Sequence, residues 1–199
     1  MAGSFTYQRT IVGYHGCDRA VGERVLLDGG ALKPSDNDYA WRGKGIYFWE
    51  HGPKRAREFA EWKHARGEIG EPFVLGAYIH LGRCFDLTDT AATGLLGTYF
   101  DLLVQQLAKE GQSLPENRAA GSQDLDLVLR RRDCAVLNFA LSELDSIDVR
   151  HDTVRGVFTE GPEAFPGARI FSKTHVQIAV RNPECIVGYF RPAEGDGAT

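Results

Sequence analysis

Strand-like runs lie early and late in this chain of 199 residues, and its longest helical stretches lie between them. That order points to an α+β fold, because a sheet built from segments far apart in sequence must close around the helices that separate them. Residues 5–15 read as a strand that Gly16 breaks. Arg19–Leu27 reads as a helix stopped by Gly29-Gly30, and Ile46-Tyr47-Phe48-Trp49 suits a short strand. Gly52-Pro53 opens a helix that carries Ala56, Phe59 and Ala60 at helical spacing and ends at Gly67. Phe73–Leu81 and Cys84–Leu87 read as strands. An amphipathic helix follows over 94–109, then a polar connection at 111–123, then one or two helices within 124–144. Beyond 149 the pattern returns to strands, at Val154–Thr159, Ile170-Phe171, Val176–Val180 and Ile186–Phe190.

The length fits one domain, over residues 1–192, with a helical insertion at about 94–144 and a flexible tail at 193–199. A formal net charge of −4 does not advertise a nucleic-acid surface, and Arg130-Arg131-Arg132 is the only dense basic run. Cys17, Cys84, Cys134 and Cys185 are widely spaced and form no Cys-x-x-Cys pair. Neither they nor the six histidines make a metal-ligand pattern, so the expectation is no metal. Free thiols suit a reducing, cytoplasmic setting. No run approaches the ~18 apolar residues of a membrane span.

Two short segments carry the chemistry. In Tyr14-His15-Gly16 a strand-end imidazole precedes a glycine whose backbone can approach a ligand. In Gly43-Lys44-Gly45-Ile46-Tyr47-Phe48, glycines flank a lysine just before an aromatic strand. Taken singly, each also fits a structural histidine or a tight turn into the core. Taken in order, they resemble the catalytic core of ADP-ribosyltransferases of the diphtheria-toxin and poly(ADP-ribose) polymerase-like class, whose signature is His-Tyr-Glu. The His15-to-Tyr47 separation of 32 positions is similar to the family's, and the resemblance is strong over about residues 11–87.

The resemblance implies an ADP-ribosyltransferase-like split β-sheet core with peripheral helices, and NAD as co-substrate. His15 would hydrogen-bond the adenosine-side ribose, Gly16 would hold the nicotinamide carboxamide through its backbone, and Tyr47 would stack on the nicotinamide ring. Phe59 is the nearest candidate for the opposite stacking face, and core packing is its alternative role. Arg42, beside the glycine motif, could pair with the NAD phosphates. Breaking the nicotinamide–ribose bond builds an oxocarbenium-like centre, which a carboxylate near the ribose stabilises.

The chain departs from the family at that carboxylate. The late strand reads Thr174-His175-Val176-Gln177-Ile178, which puts Gln177 at the glutamate position. Glutamine can hydrogen-bond a ribose hydroxyl but supplies no negative charge. Three readings stay open. Gln177 could serve a mono-ADP-ribosyltransferase, a glycosyltransferase acting on NAD. Glu160 could enter from the preceding loop as the catalytic carboxylate. The domain could instead bind NAD or ADP-ribose without turnover. An NAD glycohydrolase would use the same centre with water as acceptor. The acceptor is unspecified, and the helical stretch 94–144 with Arg130–Arg132 is where its recognition would be sought.

Overall fold

The computed structural model describes residues 7–35, 45–119 and 129–193 of the chain. Among these residues, seven strands form one mixed sheet: β1 (Tyr7–Asp18), β2 (Ile46–Glu50), β3 (Pro72–Gly82), β4 (Cys84–Asp86), β5 (Thr153–Phe158), β6 (His175–Val180) and β7 (Ile186–Phe190). Their spatial order is β4-β5-β6-β2-β1-β3-β7, antiparallel throughout except for the parallel β4–β5 pair. Among the described residues, four α-helices pack on the sheet: α1 (Arg19–Leu27), α2 (Pro53–Ala65), α3 (Thr90–Lys109) and α4 (Arg131–Ser146). The chain is therefore α+β.

The two halves of the sheet meet at a narrow junction. β1 pairs with β3 along almost its whole length, but with β2 only through Gly13–Glu50 and Tyr14–Trp49. Beyond Tyr14, the end of β1 has no ladder partner on its β2 side among the described residues. This leaves a strand edge whose backbone groups can meet something other than a neighbouring strand.

Local signals explain the elements around this edge. Asp18 ends β1 and caps α1, its carboxylate accepting from the Ala20 amide at 2.8 Å. Pro53 occupies the first turn of α2, where its missing N–H costs nothing. Gly67, with φ of +71°, carries the chain away from the end of α2.

Each sheet face has its own core. One face carries Ile46, Phe48, Leu75, Ile79, Ile178 and Val180 beneath α1, and Val21 and Val25 of that helix close it. The opposite face is shared. α2 covers Trp49 and Val74 with Ala56 and Phe59. α3 and α4 cover Phe85, Val154 and Ala179 with Ala92, Leu137, Leu141 and Leu144, and Tyr47 packs at the margin of this cluster. Within the stretch at about 94–144, α3 and α4 contribute to this core, and Leu137 and Leu141 are 2% exposed. α3 begins earlier than the apolar periodicity suggests, at Thr90, because the Asp89 carboxylate accepts from the Ala91 amide. α4 begins only at Arg131, and Arg118 and Leu129 before it form an isolated bridge.

One expected strand is absent. Ile170-Phe171 lies in an excursion between β5 and β6, where Phe171 makes a single bridge to Glu163 and Ile170 is 63% exposed. The bridge and the flanking bonds from the Ala164 amide to the Ile170 carbonyl and from the Ser172 amide to the Pro162 carbonyl tie the excursion to itself and not to the seven-stranded sheet. Residues 194–199 of the expected flexible tail lie outside the described residues.

Candidate functional site

β-strand alternation sets which side chains share a face. Tyr14 pairs with Trp49, Trp49 with Gln177, Tyr47 with Ala179, and Gln177 with Gly156. Tyr14, Tyr47, Trp49, Gln177 and His175 therefore rise on one face, the face of α2, α3 and α4. His15 rises on the other, where its ring lies 5.6 Å from that of Phe48. The two motif side chains expected to act together thus sit on opposite faces of the sheet, at the point where β1 and β2 diverge.

A hydrogen bond joins them across that divergence. His15 Nδ1 lies 2.7 Å from the Tyr47 carbonyl oxygen. A carbonyl only accepts, so Nδ1 carries the proton and donates. Burial pushes the imidazole below its ordinary range, and the nearby Lys63 charge works in the same direction against the Tyr47 carbonyl. His15 is therefore a neutral imidazole near pH 7, with Nε2 left as an acceptor.

Gly16 follows at the open edge and is buried. A Cβ there would stand 2.2 Å from the Ala56 carbonyl oxygen of α2. The glycine is what lets α2 lie directly on β1. Gly45, the second glycine of the other motif, has a related reason, since a Cβ there would stand 3.0 Å from the Val180 carbonyl oxygen of β6. Arg42, Gly43 and Lys44 lie outside the described residues.

A cleft of about 320 Å³ opens beside His15 and Gly16, bounded by α1, the Leu32-Lys33 segment and the end of α2. Its volume is at the lower end of small-molecule sites. Cys17 also lines it, and burial pushes that thiol up to about 11, so it is no thiolate nucleophile at neutral pH. Tyr47, Phe59, Glu160 and Gln177 do not line this cleft.

On the other face, Phe59 does not oppose Tyr47 as a second stacking wall. Its ring lies 5.1 Å from Trp49 and stacks on Trp62 at 5.9 Å. Phe59 thus meets the aromatic one same-face position along β2 from Tyr47, and core packing accounts for it. Strand alternation alone could have singled out Trp49, two residues from Tyr47. Its ring also approaches His175 at 6.4 Å, and His175 stacks on Phe158 at 5.6 Å.

Gln177 is half-buried on β6 between Trp49 and Gly156. Glu160 follows the end of β5, near the start of β6, where its backbone oxygen accepts from the Lys173 amide at 2.9 Å. Its carboxylate is engaged by Arg55 of α2 at 3.0 Å, and Arg55 also contacts Glu58. Arg55 carried no signal in the sequence, because its partner lies 105 positions away.

Among the described residues, no group of three or more His, Cys, Asp or Glu side chains could hold a metal ion. No described helix is long and apolar enough to cross a membrane. All four cysteines are free and buried. Comparison with protein-family models, with curated proteins and with solved structures finds no match to this chain.

Proposed function

We propose that this protein is an NAD-dependent mono-ADP-ribosyltransferase with an ADP-ribosyltransferase-like split sheet, the narrow β1–β2 junction marking the split. The observation that carries the reading is the 2.7 Å hydrogen bond from His15 to the Tyr47 carbonyl. It couples the two motif segments where the strands part, and it leaves His15 Nε2 to accept from a ribose hydroxyl. Gly16 stands at the adjoining open edge, available to the nicotinamide carboxamide. The four free, buried thiols suit work in a reducing, cytoplasmic compartment.

In the proposed reaction the nicotinamide–ribose bond breaks and its electron pair leaves with the nicotinamide nitrogen. The acceptor nucleophile then bonds to the anomeric carbon and loses its proton. Gln177 shares its face with Tyr47 and Trp49, which favours it for orienting the ribose. Glu160 is charge-compensated by Arg55, which weakens it as a stabiliser of positive charge.

The same two facts favour a second reading, an NAD or ADP-ribose-binding module without turnover. Labelled NAD with cell extract separates the readings. Transfer gives a labelled conjugate and free nicotinamide, and hydrolysis gives free ADP-ribose. Binding alone raises the melting temperature with no product. Nicotinamide release that is insensitive to both His15→Ala and Tyr47→Ala overturns the site.

A further inference from the structure

Three cationic side chains, Arg24, Lys33 and Lys63, line the cleft beside His15. They come from three separate elements: α1, the segment after it, and the last turn of α2. None of them has a carboxylate partner among the described residues.

Asp18, the one acid lining the cleft among the described residues, makes no ion pair with them. Its carboxylate accepts from three backbone amides, Ala20 at 2.8 Å, Gly70 at 2.5 Å and Glu71 at 3.3 Å. These hold it as a cap and loop anchor. Two of the cations are positioned by packing. The Arg24 side chain lies over Gly30, where a Cβ would stand 3.1 Å from Arg24 Cγ. Lys63 Nζ sits 5.3 Å above the Phe59 ring. Like charges gathered in a concave site, without counter-ions, raise the local concentration of an anion that can bridge them.

We infer that Arg24, Lys33 and Lys63 form a diphosphate site, so that the cleft selects nucleotides by their phosphates and not by the nucleoside. The inference deepens the function proposed above and rests on it for the identity of the whole ligand, but not for the site itself. Three cations on separate elements of one cleft offer more positive charge than a single phosphate neutralises, which favours a diphosphate.

Calorimetric titration of the full chain with inorganic pyrophosphate, ADP, AMP and adenosine tests it. Pyrophosphate and ADP should compete with each other, bind at least about tenfold more tightly than adenosine, and weaken as salt is raised. Lys33→Gln and Lys63→Gln should each weaken pyrophosphate by about tenfold, as expected for one charge-assisted contact. Arg118→Gln, outside the cleft, should change nothing. Circular dichroism melts confirm that the variants fold. Adenosine binding as tightly as ADP overturns the inference, as does pyrophosphate affinity unmoved in the Lys33→Gln/Lys63→Gln double variant.

The two readings fail separately. Lysine-dependent pyrophosphate binding without nicotinamide release keeps the diphosphate site and removes the transferase. Nicotinamide release whose KM for NAD is the same in the double variant keeps the transferase and removes the diphosphate site.

Discussion

The imidazole Nδ1 of His15 and the main-chain carbonyl of Tyr47 lie 2.7 Å apart, although the two side chains rise on opposite faces of the sheet. The bond uses the backbone of Tyr47 and not its ring, so the coupling survives any change of the Tyr47 side chain. Tyr47→Ala should keep the hydrogen bond and lose the stacking surface, whereas His15→Ala should lose the bond. We expect His15→Ala to cost about 1 kcal/mol of stability, the net worth of one such bond. Both variants should abolish the NAD-dependent rise in melting temperature. Calorimetric melts with and without NAD check this.

Gly16→Ala should be more damaging than a one-methyl change suggests. The added Cβ would meet the Ala56 carbonyl at 2.2 Å, and backbone on both sides must move to relieve it. Overpacking of this kind costs about 1–3 kcal/mol. α2 would lift from β1 and carry Lys63 away from the cleft. Urea denaturation gives the stability change, and a normal midpoint for this variant contradicts the packing.

Glu160→Ala and Gln177→Glu address the two polar groups of the other face. Glu160→Ala removes one partner of Arg55 but leaves Glu58, so stability should fall by only about 1 kcal/mol. Under the proposed function its nicotinamide release should stay within about threefold of the parent, because only one charge contact is lost. Gln177→Glu adds the charge that stabilises a developing cation and should raise the rate at least about tenfold. Single-turnover nicotinamide release measures both.

Arg155 should be the least replaceable surface-distant cation. Its guanidinium reaches Glu50 at 2.6 Å and Asp86 at 3.2 Å, with the two carboxylates 5% and 4% exposed. Arg155→Ala leaves two buried acids without this partner, with only Arg9 remaining on Glu50. Loss of a buried pair's partner costs about 3–5 kcal/mol. Thermal melts measure it, and a loss below about 1 kcal/mol contradicts the assignment.

Stability should fall on mild acidification. Burial lowers the pKa of His15 below 6.5, and burial with the Arg181 charge lowers that of His151. In both cases the unfolded chain takes up the proton more readily. Stability from these groups is therefore full above 6.5 and is lost as the pH drops below it, until the folded-state values are passed. His151→Gln should flatten part of the slope between pH 7 and 5. Melting temperatures across that range give the result, and an unchanged slope contradicts a role for His151.

The sequence by itself determined the elements whose signals are local. α1 follows from Asp18 before it and Gly29-Gly30 after it, α2 from Pro53 and Gly67, and β7 from the apolar run Ile186–Phe190. It also placed His15, Gly16, Tyr47 and Gln177 as the residues to watch, by motif resemblance and by strand position.

Only the tertiary structure decided how they meet. The faces on which His15 and Tyr47 rise depend on the β1–β2 register, which rests on two residue pairs that no local pattern encodes. Phe59 goes to Trp49 and Glu160 to Arg55 because α2 lies across β1 at Gly16, a contact between segments 40 positions apart. Arg24, Lys33 and Lys63 read as separate surface charges along the chain. They line one cleft because α1 and α2 pack on opposite sides of the open end of β1, and long-range packing, not local propensity, sets that arrangement.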